Sequence, residues 1–258
     1  MFELPLTKAN RILLAQAFRK VPRVDLSIEC AIEGQMGRAY VDQLENPTAY
    51  KLAVGPFFYF AGEYLTPGGW AMLEAIKPYD LFMPSARGWI EGAKSVFGRR
   101  LVSIERYSFS PERLSAIRLE DLVAASPFRE QARRMELEIV SSLWVQDHFV
   151  DFSEFDSAGD FVERGVGFCL ERKGAVVGAA FSSLVCSRGI EISVYVEEDY
   201  RRQGIATLLA ARLLLWCLER GAEPHWDAAN AESAKLALKL GYTLSGSYEA
   251  YYLERPAG

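Results

Sequence analysis

Residues 190–209 read IEISVYVEEDYRRQGIATLL, and the hydrophobic period of this stretch changes halfway along it. Over 190–196 the even positions are apolar and the odd positions polar, which is the period of a strand with two different faces. From Ile205 onward the apolar positions recur at helical spacing. The stretch therefore predicts a strand over 190–196, a short polar loop, and a helix that begins at Ile205.

The loop between this strand and helix has the composition of an anion site. Gly204 and the small Ala206 allow a ligand to approach the backbone. The first N–H groups of a helix lack partners inside it, and the positive end of the helix dipole favours anions there. Arg201 and Arg202 add positive charge. Arginines and a glycine are also common in plain turns, so the loop alone leaves a purely structural reading open.

The second half of the chain predicts a mixed arrangement of strands and helices. Three strands separated by the turn residues Lys173-Gly174 and Arg188-Gly189 indicate an antiparallel meander. Gly221 is suited to end the helix that follows. The predicted elements are helices at 128–149 and 157–163, strands at 166–171, 175–185 and 190–196, a helix from 205, a strand at 225–229, a helix at 231–240, and strands at 242–244 and 248–253.

The first half predicts a smaller α+β domain. Its predicted elements are a helix at 7–20, strands at 37–42 and 51–60, helices at 69–77 and 85–97, and a strand at 101–109. Prolines at 111 and 127 interrupt regular structure, which places the junction there and divides the chain into domains 1–125 and 126–258. The aromatic run at 57–60 has no interleaved basic residues and is interpreted as core strand.

Composition excludes several classes of protein. The 258 residues carry 29 Lys and Arg against 34 Asp and Glu, a net charge of −5, so no nucleic-acid surface is expected. The sequence has no apolar run of about 20 residues and no secretory start, so we expect no membrane segment and a cytoplasmic location. Four isolated cysteines and two histidines favour metal-free chemistry over a disulfide framework or a metal site.

Two segments resemble the GNAT superfamily of N-acetyltransferases. Its acyl-CoA-binding signature, Arg/Gln-x-x-Gly-x-Gly/Ala, is matched by Arg201, Gly204 and Ala206. Residues 226–242, WDAANAESAKLALKLGY, look like its second half, a strand ending in Asn and a helix ending in Lys-x-Gly-aromatic. The sequence of this segment, and that of residues 37–47, resembles a bacterial subfamily with an extra amino-terminal domain. The similarity covers about residues 128–253.

The resemblance implies a GNAT-type mixed sheet flanked by helices in the C-terminal half, an α+β fold, with acetyl-CoA as co-substrate. In this superfamily the strand before the loop splays from its neighbour, and its main chain pairs with the pantetheine arm. The resemblance and the loop together place these residues on the cofactor: Val194, Tyr195, Val196, Arg201, Arg202, Gln203, Gly204, Ile205, Ala206, Thr207, Asn230 and Ser233.

Glu191 is the candidate general base, because a carboxylate shielded in a cleft can take a proton from an ammonium group directly or through water. A solvent-facing strand carboxylate is the alternative. Asn230 has a second reading as the cap of the helix at 231, and Ser233 as an ordinary polar helix residue. His225 and His148 have no pattern of partners, and a packed or surface imidazole is expected for each.

One position departs from the superfamily. Many members have a tyrosine seven residues after the Asn that protonates the departing thiolate, and Ala237 stands there in this sequence. Substitutes open at this point are water or one of four tyrosines, namely Tyr242, Tyr248, Tyr251 and Tyr252.

The resulting hypothesis is an acetyl-CoA-dependent N-acetyltransferase in which a primary amine of a small molecule or peptide attacks directly. No metal, nucleic acid or membrane takes part, and a homodimer is possible in this hypothesis. The alternatives are a non-catalytic acyl-CoA sensor or partner-binding module, and an assembly protein that has lost cofactor binding. The first domain could shape the acceptor pocket, mediate dimerisation or be a diverged copy of the second.

Overall fold

A computed structural model gives the structure of the chain and describes residues 1–145 and 150–255. These residues form two compact units, Tyr107–Gly246 and the combination of Met1–Arg106 with Ser247–Gly258. The division differs from the predicted boundary at 125, because the chain passes between the units inside two continuous strands. No helix of the described part is long and apolar enough to cross a membrane.

The unit Tyr107–Gly246 contains most of the predicted second half. Its elements are the end of β6 (Leu101–Ser110), α5 (Ala116–Ala124), β7 (Ala132–Arg134), α6 (Leu137–Trp144), α7 (Ala158–Arg164), β8 (Gly167–Arg172), β9 (Ala175–Val185), β10 (Gly189–Val196), α8 (Ile205–Arg220), β11 (Glu223–Ala228), α9 (Ala231–Leu240) and the start of β12 (Thr243–Leu253).

The sheet of this unit is mixed. Strands β8, β9 and β10 pair antiparallel in that order, which confirms the predicted three-strand meander, and β7 pairs antiparallel with the outer edge of β8. Strand β10 then pairs parallel with β11, and β11 pairs antiparallel with β6. With helices α5, α8 and α9 in the same unit, this is the predicted α+β class with a mixed sheet.

Helix α8 is the central element of the hydrophobic core. It buries residues around most of its circumference, including Leu208, Ala210 and Ala211, as expected for a helix with apolar residues on all sides. At its first turn the helix meets Gly178 of β9, where a Cβ atom would lie only 3.0 Å from the Cγ2 of Ile205. The absence of a side chain at Gly178 therefore fixes how closely the start of α8 approaches the sheet.

Two parts of this unit differ from the sequence-based expectation. The predicted junction at 110–127 contains α5, which begins after Ser115 and whose Arg118 donates to the carbonyls of Leu238 and Lys239 at the end of α9. The predicted helix at 128–149 was wrong over its first part, where a short 3-10 helix at Arg129–Gln131 is followed by β7, which pairs with β8, while α6 is helical as predicted. Pairing with a sheet overrides local helical spacing. Residues 146–149, including His148, lie outside the described residues.

The other unit is also α+β. Its elements are β1 (Phe2–Glu3), α1 (Lys8–Ala17), α2 (Ser27–Glu33), β2 (Arg38–Val41), β3 (Ala49–Val54), β4 (Phe57–Gly62), α3 (Pro67–Glu74), β5 (Leu81–Phe82), α4 (Trp89–Phe97), most of β6 and the end of β12. Strands β1, β2, β3 and β4 pair antiparallel, β4 pairs parallel with β5, and β5 pairs with β12.

Several boundaries in this unit were also predicted wrongly. The strand expected over 51–60 is two strands, because the chain turns at Gly55, whose φ of +52° suits glycine. Helix α2 was not predicted. The two final strands expected at 242–244 and 248–253 are a single strand, β12, which continues through Gly246.

The aromatic run on β4 forms core, as expected, in its second half. Phe60 stacks on Phe82 and Trp89 with ring centroids 4.8 and 4.7 Å away. Phe58 is only half buried, and the ammonium group of Lys51 lies 3.9 Å from its ring centroid. Lys51 is 5% exposed, and its burial lowers the pKa of the ammonium group from 10.5 to about 8. The protonated form of Lys51 therefore destabilises the folded chain at neutral pH.

Replacing this lysine should stabilise the protein. Since each pKa unit corresponds to about 1.4 kcal/mol, Lys51→Met should raise the free energy of unfolding at pH 7 by up to about 3 kcal/mol. The penalty is complete below pH 8 and fades between about 8 and 10.5, so the advantage of the variant should shrink over that window. Denaturant unfolding at several pH values measures it. Exposed Lys20→Met is the control, and a destabilised Lys51→Met protein would contradict the account.

Candidate functional site

A cleft of about 650 Å³ opens in the unit Tyr107–Gly246 between the end of β10, the start of α8 and helix α9. Eleven of the twelve predicted cofactor residues line it, namely Val194, Tyr195, Val196, Arg201, Arg202, Gly204, Ile205, Ala206, Thr207, Asn230 and Ser233. The structure thus brings the two separate motifs of the sequence together around one cavity. Gln203 is the exception, and its side-chain amide donates to the carbonyl of Asp199 instead.

The cleft exists because two parallel strands part. The ladder between β10 and β11 contains three residue pairs and ends with Glu191 opposite His225. Beyond that pair β10 remains paired with β9 as far as Val196. Strand β11 is paired there with β6, where Trp226 lies opposite Phe109. The gap between the two strands is the inner part of the cleft, bounded by Ile192 and Val194 on one side and Trp226 on the other.

The outer part of the cleft is the N-terminus of α8. Gly204 is the N-cap residue with a φ of +85°, a left-handed conformation that favours glycine, and no side chain caps the helix. The N–H groups of the first turn therefore have no partner inside the helix and point toward the cleft. A Cβ atom at Gly204 would meet nothing within 4 Å, so this residue faces open space. Arg202 precedes it, also with a positive φ of +65°.

Basic side chains surround this helix end. The Nε of Arg201 donates to the carbonyl of Val196 at 3.0 Å, which holds the guanidinium at the end of β10. Lys239, in the last turn of α9, donates from Nζ to the Oγ1 of Thr207 at 3.1 Å. Lys239 was not predicted as a site residue from the sequence. Its place in the Lys-x-Gly-aromatic motif was visible, but the reach to α8 depends on the packing of two helices.

Asn230 and Ser233 have structural roles as well as positions on the cleft. The Oδ1 of Asn230 accepts from the backbone N–H of Ser233 at 2.9 Å, so Asn230 caps α9 as its alternative reading proposed. The Oγ of Ser233 accepts from the indole N–H of Trp226 at 3.1 Å. These bonds fix the wall of the cleft, and a contact of either residue with a cofactor stays a prediction.

Glu191 lies at the point where the strands part and does not line the cleft. Its side chain is buried, so the solvent-facing alternative does not hold. One carboxylate oxygen accepts from the backbone N–H of Asp227 at 3.1 Å, and the other lies 2.9 Å from the Nδ1 of His225. His225 is a packed imidazole, as expected. The hydrogen bond from Asp227 and the close contact with His225 fix this carboxylate, which belongs to the residue before Ile192, the first cleft residue of β10.

The structure also shows the surroundings of Ala237 and of the tyrosines considered as the general acid. Ala237 is fully buried in α9. The hydroxyl of Tyr242 donates to the carbonyl of Pro224 at 2.8 Å, and burial raises its pKa well above the usual value. Tyr248, Tyr251 and Tyr252 belong to the other unit. The tyrosines that line the cleft are Tyr195 and Tyr200, and Tyr200 was not predicted.

In the described ranges no three His, Cys, Asp or Glu side chains come together in a way that could hold a metal ion.

The comparisons with known proteins agree with the fold. A cleft between parting strands that ends at an uncapped helix is the arrangement that the GNAT resemblance implied. The family model described as GNAT acetyltransferase matches residues 22–251, and the chain belongs to this family of N-acetyltransferases. The match extends well beyond the region 128–253 in which the motifs were found.

Individual relatives show the same family. A crystal structure of a GCN5-related N-acetyltransferase-like protein from Streptococcus suis has a TM-score of 0.83 and 30% identity, covering 96% of this chain and 100% of that one. The uncharacterized N-acetyltransferase YdfB of Bacillus subtilis is 25% identical over 84% of this chain and 85% of its own. The ribosomal protein bS18-alanine N-acetyltransferase of Escherichia coli K12 is 28% identical over 41% of this chain and 73% of its own.

Filling the space at Gly204 tests the helix end as a ligand site. Gly204→Trp should weaken coenzyme A binding at least tenfold, because the indole would occupy the space in front of the first turn. Gly221→Trp is the matched control, since Gly221 ends the same helix with a φ of +66° and also has nothing within 4 Å. Both variants carry the same strain of about 1–2 kcal/mol. Calorimetric titration measures the affinity for coenzyme A. Equal affinities in the two variants would show that the start of α8 is not the binding site.

Proposed function

We propose that this GNAT-family enzyme transfers the acetyl group of acetyl-CoA to a primary amine by direct attack of the amine on the thioester. The observation that carries the proposal is the continuity of the cleft, from the gap between β10 and β11 to the bare N-terminus of α8. A long ligand with an anionic end and a reactive end fits such a cleft, and acetyl-CoA is one.

The chain has groups suited to each part of acetyl-CoA. The N–H groups of Ile205, Ala206 and Thr207, at the positive end of the helix dipole, would bind the diphosphate. Main-chain groups along Val194–Val196 would pair with the amides of the pantetheine arm, since β11 has left this side of β10. The thioester would then lie toward the inner end of the cleft, near Ile192.

Glu191 is the proposed general base. It precedes Ile192, the residue near which the thioester would lie, and its carboxylate is fixed by a hydrogen bond from the N–H of Asp227 and by the contact with His225. A positioned carboxylate can take the proton of an ammonium group directly or through one water molecule. Holding amine and thioester together supplies the rest of the rate enhancement, and no covalent enzyme intermediate is needed.

Water protonates the departing thiolate in this proposal. Ala237 carries no acid, and the hydroxyl of Tyr242 is buried and committed to Pro224. A thiolate of coenzyme A is a good enough leaving group that a positioned acid is not obligatory.

The acceptor is a primary amine of a small molecule or peptide, in the cytoplasm predicted from the sequence. The bS18-alanine N-acetyltransferase, by its name, modifies an alanine of a ribosomal protein. This similarity makes peptide α-amines the first acceptors to test. A homodimer stays a prediction from the sequence.

A non-catalytic acyl-CoA sensor is the second candidate. Two observations favour it, namely Ala237 in place of the acid and the position of Glu191 outside the cleft lining. A sensor would bind acetyl-CoA without releasing thiol in the presence of any amine.

Thiol release from acetyl-CoA with a library of amines and peptides tests the proposal. The wild-type chain should release free coenzyme A with at least one acceptor. Glu191→Gln should lower kcat about 100-fold or more, the usual contribution of a general base, while the Kd for acetyl-CoA changes less than about twofold. Glu171→Gln is the control, because Glu171 is also a strand carboxylate with a basic partner, Arg133. Binding of acetyl-CoA without turnover would favour the sensor. Normal turnover of Glu191→Gln would show that Glu191 is not the general base.

A further inference from the structure

Lys239 bridges the two helices that bound the cleft. Its side chain leaves the last turn of α9 and ends on Thr207, which is 9% exposed and belongs to the first turn of α8. Both residues line the cleft. The ammonium group therefore lies at the outer part of the cavity, close to the N–H groups of α8, although the residue is remote from them in sequence.

Several basic side chains lie at this end of the cleft, where the helix start already favours an anion. The N-terminus of a helix carries a partial positive charge, and cations are normally stabilising at the opposite end. Here Arg201, Arg202 and Lys239 all lie on the cleft at that same end. The hydrogen-bond partner of the ammonium group is the neutral hydroxyl of Thr207. Glu232 also lines the cleft, from the first turn of α9.

We propose that Lys239 is a diphosphate ligand of coenzyme A, acting from α9 opposite the N–H groups of α8. This inference rests on the proposed function, which already places the diphosphate at the start of α8, and adds to it one side chain that binds the diphosphate. The side chain would exchange the hydroxyl of Thr207 for a phosphate oxygen, since three rotatable donors on a flexible stem allow it to keep both helices in contact with the ligand. The diphosphate, rather than the 3′-phosphate, is assigned because Thr207 belongs to the first turn of α8.

The experiment is calorimetric titration of the full chain with coenzyme A and with dephospho-coenzyme A, which keeps the diphosphate and lacks the 3′-phosphate. Lys239→Met, which keeps the length of the side chain and removes its charge, should weaken both ligands about tenfold or more. Lys239→Arg should restore most of the affinity. The loss should shrink at high salt, because screening weakens an exposed charge pair, whereas a merely structural role of the side chain would be insensitive to salt.

Lys235→Met is the matched control. Lys235 is an exposed lysine of the same helix, one turn earlier, and does not line the cleft. Its replacement should leave both affinities within about twofold of the wild type.

The outcomes separate this inference from the proposed function. Wild-type binding with an unchanged Lys239→Met affinity would overturn the role of Lys239 alone. A loss for coenzyme A without a loss for dephospho-coenzyme A would overturn the diphosphate assignment. A wild-type chain that binds neither ligand would overturn the proposed function and this inference together.

Discussion

The short parallel ladder between β10 and β11 is the constraint on which the site depends. It ends after three residue pairs, at Glu191 and His225. One residue further on, the N–H of Asp227 donates to the side chain of Glu191, so the two strands are joined there by a carboxylate instead of the main chain. A hydrogen bond to a charged group contributes roughly 1.5–3 kcal/mol. Glu191 thus stabilises the end of the ladder at the place where the cleft must begin.

The second constraint is the fixed start of α8. The helix is buried along its length, and its first turn packs against Gly178, so its N-terminus cannot move without disturbing the core. The left-handed Gly204 ends the polar loop and turns the chain into the helix with no side chain over the first turn. Fixed donors that need no reorganisation bind an anion at low entropic cost. The fold therefore provides a rigid positive helix end at one end of the cleft and a buried carboxylate behind the other.

The sequence predicted this region well because strong local signals agree there. The alternation over 190–196 and the glycines at 204, 221 and 241 define β10, α8 and α9 to within one residue. Weak signals failed elsewhere. Helix α5 lies in a segment that prolines made look irregular, and β7 lies in one with helical spacing, since pairing with β8 decides its structure.

The candidate site was predictable as a set of residues but not as a set of contacts. Both motifs lie on one cleft, as the resemblance implied. The hydrogen bond from Asp227 to Glu191 and the contact of Glu191 with His225 join neighbouring strands, and the hydrogen bond from Lys239 to Thr207 joins two helices. Such contacts depend on register and helix packing, which a single sequence does not determine.

A crystal structure of the chain with coenzyme A would show where the diphosphate binds. We expect diphosphate oxygens within about 3.2 Å of the amide nitrogens of Ile205, Ala206 or Thr207, and a pantetheine arm in the gap between β10 and β11. A diphosphate bound away from the start of α8, or a gap closed by protein atoms at saturating ligand, would contradict this expectation.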